Sequence, residues 1–103
     1  MRILLDECVP RGLKRSFRGV GSVVTVPDVG LSGYKNGRLL ARITGDFDVF
    51  ITTDKSIQFQ QNLSKHDMAF VLLRAVSNDI ADLQPLIPRL LERLPDLNGA
   101  SSS

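Results

Sequence analysis

Four short apolar runs punctuate the chain, and each has the length of a strand. They are Arg2–Leu5 (RILL), residues 22–26 (SVVTV), residues 48–53 (DVFITT) and residues 68–73 (MAFVLL). Strands with one wet face alternate apolar and polar residues. These runs are largely unbroken, as suits strands of a parallel sheet covered on both faces. Helical spacing fills the gaps: Leu13 and Phe17 after Pro10, then Leu39, Leu40 and Ile43, then Ile80, Leu83, Ile87, Leu90, Leu91 and Leu94. Strand and helix signals in alternation predict an α/β domain around a parallel sheet of about four strands.

Glycine and proline set the expected boundaries. Pro10 suits the first turn of a helix over about 10–18, and Gly19 and Gly21 bracket its end. Residues 27–37 (PDVGLSGYKNG) hold three glycines and a proline and read as a loop, followed by a short helix over 38–44. Proline is tolerated in a helix only in its first turn, so Pro85 and Pro88 predict a turn at 79–84 and a helix over about 85–95. With 103 residues the chain can bury one core, so residues 1–97 are expected as one domain and 98–103 as a polar tail. No apolar stretch approaches the roughly 18 residues of a membrane span, and the N-terminal apolar run is too short for a signal peptide. A lone cysteine, Cys8, permits no internal disulfide, and the expected compartment is the cytoplasm. A net charge of +2 admits a nucleic-acid partner without singling one out.

Acidic residues follow two of the predicted strands. Asp6 and Glu7 come after the first, and Asp54 comes after the third. The carboxyl ends of parallel strands form one rim, outside which ligands bind. Carboxylates brought together there repel one another, and a divalent cation such as Mg²⁺ or Mn²⁺ relieves the repulsion. Each acid also has a plainer reading as a helix cap. Asp46 and Asp48 precede Asp54 by six to eight residues. At about 3.3 Å per residue that places them of order 20 Å away, at the opposite end of the sheet. Lys14, Arg15 and Arg18 share a face of the first helix with Arg11, which is either solvated or turned to phosphate. Gln61 and Asn62 sit in an amide-rich stretch after Asp54, and Tyr34 on the glycine-rich loop could stack on a base.

The segments LLDECVP, VVTVPDVGLSGYKNGRLL, DVFITTDKSIQFQQNL and VLLRA resemble the small PIN-like proteins of bacteria, over nearly the whole chain. The resemblance implies a three-layer α/β/α PIN-like fold and an Mg²⁺- or Mn²⁺-dependent ribonuclease, often a VapC-type toxin neutralised by an antitoxin protein. It carries over onto Asp6 and onto Asp54 with the basic residue after it, Lys55. Where the resemblance implies KNGELL, this chain reads KNGRLL, with Arg38 in the place of an acid. Asp28, on the loop after the second strand, is a candidate third carboxylate, and Glu7 a supporting one.

The expected activity is therefore metal-dependent hydrolysis of RNA, single-stranded or looped. Asp6 and Asp54 would hold the metal with Glu7 and Asp28 nearby, and Lys55 would offset transition-state charge. Arg11, Tyr34, Lys35, Asn36, Arg38 and Gln61 are the candidate RNA contacts. Two alternatives stand beside it: a PIN-like module that binds RNA or a partner without cutting, and a phospho-acceptor receiver domain, which also carries acids after its first and third strands. A receiver requires a fifth strand, for which the sequence offers no run. Leu86, Leu90, Leu94 and Leu97 on the last helix suggest a homodimer that covers exposed apolar surface.

Overall fold

Strands β1 (Arg2–Leu5), β2 (Ser22–Thr25), β3 (Val49–Thr52) and β4 (Ala69–Leu72) form one sheet in the order β2-β1-β3-β4, and every pairing is parallel. The structure is a computed structural model that describes residues 2–17, 19, 21–34, 36–43, 45–55, 68–77 and 79–97. Crossovers between parallel strands are right-handed, so reversing direction across the sheet moves the connection to the other face. The step from β1 to β2 carries a 3₁₀ helix, Arg11–Phe17, and the return step from β2 to β3 carries α1 (Asn36–Ile43). Packing follows that rule. Leu13 and Phe17 meet Ile3, Leu5, Val49 and Ile51 on one face, while Leu39, Leu40 and Ile43 meet Leu4 and Phe50 on the other. The chain thus folds as α/β, with helical elements on both faces of a four-stranded parallel sheet.

The C-terminal segment lies on the first face. There α2 (Ile80–Leu83), a 3₁₀ turn (Gln84–Leu86) and α3 (Ile87–Leu97) deliver Leu83, Ile87, Leu90 and Leu94 to the core. Pro85 sits at the start of the 3₁₀ turn and Pro88 in the first turn of α3, where a missing N–H is harmless. The helix expected over 85–95 begins at Ile87, and the expected turn before it is helical. Leu90 and Leu94 are core residues, so they offer no surface to a second copy, and Leu86 is half-buried against the same cluster. The side chain of Leu97 lies outside the described residues. No helix among the described residues is long and apolar enough to cross a membrane.

Two differences from the sequence expectation bear on the site. The first helical segment winds as 3₁₀, with three residues per turn, so positions i and i+3 eclipse. That alignment sets Arg11 directly over Lys14. The stretch after β2 is not an open loop throughout: Pro27–Val29 forms a 3₁₀ turn that ends at Gly30, whose φ of 76° is left-handed and favours glycine.

Phe50 ties β3 to the α1 face. It is 1% exposed and meets Phe70 edge-on, with ring centroids 6.4 Å apart. Phe50→Ala should destabilise the domain by about 3–5 kcal/mol, a large part of the roughly 5–15 kcal/mol of a domain this size. Urea unfolding measures it, and a loss under about 1 kcal/mol would mean that the α1 face is not a fixed core.

Candidate functional site

The strand order changes direction between β1 and β3, since the chain leaves β1 toward β2 and returns to the other side. In open α/β sheets ligands bind in the crevice at such a switch point, outside the carboxyl ends of the strands. Asp6 follows β1 at that point, and Thr52, Thr53 and Asp54 lie at and beyond the end of β3. The register pairs Leu5 with Ile51, so one step further brings Asp6 level with Thr52. Asp54 lies two residues beyond that level, about 6–7 Å along the strand direction. Asp48 closes the opposite end of the sheet, where its carboxylate accepts from the Arg2 backbone N–H at 2.7 Å. The expectation that it stands apart from the rim acids holds.

Thr52 joins the two acids. Its side chain is buried, and its hydroxyl donates to Asp6 Oδ2 at 2.6 Å while accepting from the Asp54 backbone N–H at 3.0 Å. The Thr53 hydroxyl donates to Cys8 Sγ at 3.0 Å. The Cys8 S–H then points to Asp6 Oδ2 at 3.6 Å or to Thr52 Oγ1 at 3.5 Å, since the Thr52 proton is already committed. Asp6 Oδ1 accepts from the Glu7 backbone N–H at 2.8 Å. Each carboxylate oxygen has two acceptor sites, so these bonds leave Asp6 open mainly at Oδ1.

The remaining acids are committed elsewhere. Glu7 Oε1 accepts from the Gly33 backbone N–H at 3.2 Å, which ties the glycine-rich loop to the rim. Asp28 takes the eclipsed pair from the 3₁₀ helix: Arg11 Nη2 at 3.0 Å on Oδ1 and Lys14 Nζ at 2.7 Å on Oδ2. It also accepts from the Thr25 backbone N–H at 3.0 Å and donates its own N–H to Thr25 Oγ1 at 3.2 Å. Lys14, then the Thr25 hydrogen bonds, hold the Asp28 carboxyl well below the usual carboxylate range. Asp28 fastens the first helix to the end of β2, and Arg11 is drawn into that task.

Tyr34 is half-buried against the α1-side core, and two cations of α1 gather on it. The Arg38 and Arg42 guanidinia stand 5.7 and 5.5 Å from the ring centroid, and Arg42 Nη2 donates to the Tyr34 hydroxyl at 3.3 Å. Ser32, Gly33, Tyr34 and Arg38 line an open pocket of about 490 Å³ beside the Glu7–Gly33 link. Lys55 follows Asp54 on the exposed rim, and Asn36 opens α1. Lys35, Gln61 and Asn62 lie outside the described residues, as does Arg18.

The structure therefore brings Asp6 and Asp54 to the same switch point and sends Asp28 and Glu7 to other partners. Among the described residues no three His, Cys, Asp or Glu side chains form a group that could hold a metal ion. Mg²⁺ takes one or two carboxylates when waters and substrate phosphates complete its shell, and Asp6 and Asp54 are the acids that follow the two strands of this switch point. Sequence reasoning missed Thr52 and Arg42. The β1–β3 register would have revealed Thr52, and the spacing of four from Arg38 would have revealed Arg42. Comparison of the chain with known protein families, with characterised proteins and with solved structures finds no match.

Thr52→Val keeps the shape but removes the hydroxyl. It should cost about 1–3 kcal/mol, because the Asp54 N–H and Asp6 Oδ2 each lose a buried partner. Thermal melts of the two proteins measure this, and unchanged stability would mean that solvent already serves both groups.

A carboxyl whose folded pKa is depressed contributes stability above its unfolded pKa, near 3.9, and loses it as pH falls further. Below about pH 4 the native protein should therefore lose the part of its stability that Asp28 supplies. Asp28→Asn should be less stable at pH 7 and show a flatter acid limb in melts from pH 6 down to pH 2.5. Parallel acid limbs for the two proteins would remove Asp28 as the clamp.

Proposed function

We propose that this chain is a PIN-like, metal-dependent ribonuclease that hydrolyses phosphodiester bonds of single-stranded or looped RNA. One observation carries the reading: Asp6 and Asp54 flank the β1–β3 switch point, linked through the buried Thr52 hydroxyl. Asp6 and Asp54 are the residues that would hold Mg²⁺ or Mn²⁺, which supplies a charge to polarise the phosphate and acidify water. The chain's own groups do the rest. Thr52 fixes the orientation of the Asp6 carboxylate and the backbone at Asp54. Lys55 stands beside Asp54 on the exposed rim, where a cation offsets charge that builds on phosphorus oxygens. Arg38 and Tyr34 lie across the Glu7–Gly33 link, on the path of a bound strand. An antitoxin protein that covers this rim is the partner such a nuclease calls for.

A second reading has its own support. With Asp28 and Glu7 committed elsewhere and Arg38 where the resemblance implies an acid, the rim suits an RNA-binding module that does not cut.

Cleavage of a fluorescent single-stranded RNA in Mn²⁺, with products resolved by size, separates the two. Asp6→Asn and Asp54→Asn should each lower the rate about 100-fold or more, and chelation should abolish it. RNA binding that persists without cleavage, and that chelation leaves unchanged, would establish the module instead.

A further inference from the structure

Arg38 and Arg42 are separated by four residues, one helical turn apart on the same face of α1. Like charges so placed repel. Among the described residues neither makes an ion pair with a carboxylate, whereas Arg11 and Lys14 both meet Asp28. Both guanidinia are instead gathered over the ring of Tyr34, and Arg42 is fixed to its hydroxyl. Tyr34 in turn is held by the core beneath it. The result is a pair of forked donors on a rigid aromatic base, with Ser32, Gly33 and Arg38 around an open space of about 490 Å³. That volume lies in the range of small-ligand sites, about 300–1,000 Å³.

We infer that the Tyr34–Arg38–Arg42 cluster binds a phosphomonoester, the terminal phosphate of an RNA strand. Charge selects this ligand. A phosphodiester carries one negative charge, whereas a phosphomonoester carries about −1.5 to −2 at pH 7 and offers three acceptor oxygens to two guanidinia. The Glu7 carboxylate, bonded at Gly33, repels an anion placed on the rim side of the pocket. A terminal phosphate is therefore kept on the α1 side, against Arg38, with Arg42 beside it at the Tyr34 ring and hydroxyl. Tyr34 acts as a positioning residue, and its ring face is already engaged by cations, so base stacking there is not its role. The inference deepens the ribonuclease reading and rests on it for the RNA strand, but not for the phosphate.

Titration with adenosine 5′-monophosphate and with adenosine, followed by NMR, tests the phosphate directly. The native protein should bind the monophosphate about tenfold more tightly or better, as charged hydrogen bonds imply. Arg38→Gln with Arg42→Gln should erase the preference, and Arg42→Lys, which keeps charge but loses the fork, should retain part of it. Equal binding of both compounds to the native protein, binding of neither, or a preference that survives in the double glutamine variant overturns the inference. Short single-stranded RNAs with a 5′-phosphate, a 3′-phosphate or hydroxyl ends then identify the end that is held. If the monophosphate preference holds and no RNA binds, the ribonuclease reading fails and the phosphate site stands. If RNA binds without regard to its end groups, the site is not an end-binding one and the ribonuclease reading is untouched.

Discussion

The pairing of β1 with β3 is the constraint from which the rest of the structure follows. Ile3, Leu4 and Leu5 have no solvent exposure, because β1 is bonded on both edges and covered on both faces. In a parallel ladder a slip of one residue would turn every side chain of the strand to the opposite face. Here the slip would exchange Leu4, which packs with Phe50, Leu39 and Leu40, for Leu5, which packs with Ile51, Leu13 and Phe17. Both faces are filled by different shapes, so the register is fixed from two sides. A fixed register puts Asp6 level with Thr52, and their 2.6 Å contact is the polar end of an apolar ladder.

That contact also shows how a carboxylate can sit half-buried at the mouth of the core. Removing an ionised carboxyl from water is costly unless hydrogen bonds to it replace the solvent. Asp6 receives the Thr52 hydroxyl and the Glu7 N–H, and the Cys8 sulfur stands 3.6 Å from Oδ2. Every buried side-chain nitrogen or oxygen among the described residues has a partner. Asp28 lies in a more exposed place and is held instead by two cations and the Thr25 backbone N–H. Acids of one rim have thus been given different surroundings, and those surroundings set what each can do.

The four strands, the α/β class and the separation of Asp48 from the rim were all legible in the sequence, because unbroken apolar runs and strand rise are local properties. The 3₁₀ winding of Arg11–Phe17 was not. Gly12 weakens an α-helix there, and the eclipsed Arg11 and Lys14 both meet Asp28 from across the fold, a contact that no local pattern announces. Asp6 and Asp54 are legible as acids that follow two strands, but their offset is not: the ladder sets Asp6 level with Thr52, the last residue of β3, two residues before Asp54. The role of Thr52 emerges only from that register. Of the leucines read as a self-pairing surface, Leu90 and Leu94 are core residues, because a helix turns its apolar stripe to whatever covers it and here that includes the sheet. Roles for Lys35 and Gln61 fall outside the described residues, so the structure adds nothing to their reading.

The distribution of charge around the rim is uneven in a way that composition hides. A net charge of +2 is small, yet the two sides of β1 differ in kind. On the β2 side Arg11 and Lys14 share the Asp28 carboxylate. On the α1 side, among the described residues, Arg38 and Arg42 meet a ring but no carboxylate. An aromatic face attracts a cation without neutralising it, so the positive potential there survives into solvent. The two sides of the rim thus present cations in different settings, shared with a carboxylate on one and laid on a ring on the other.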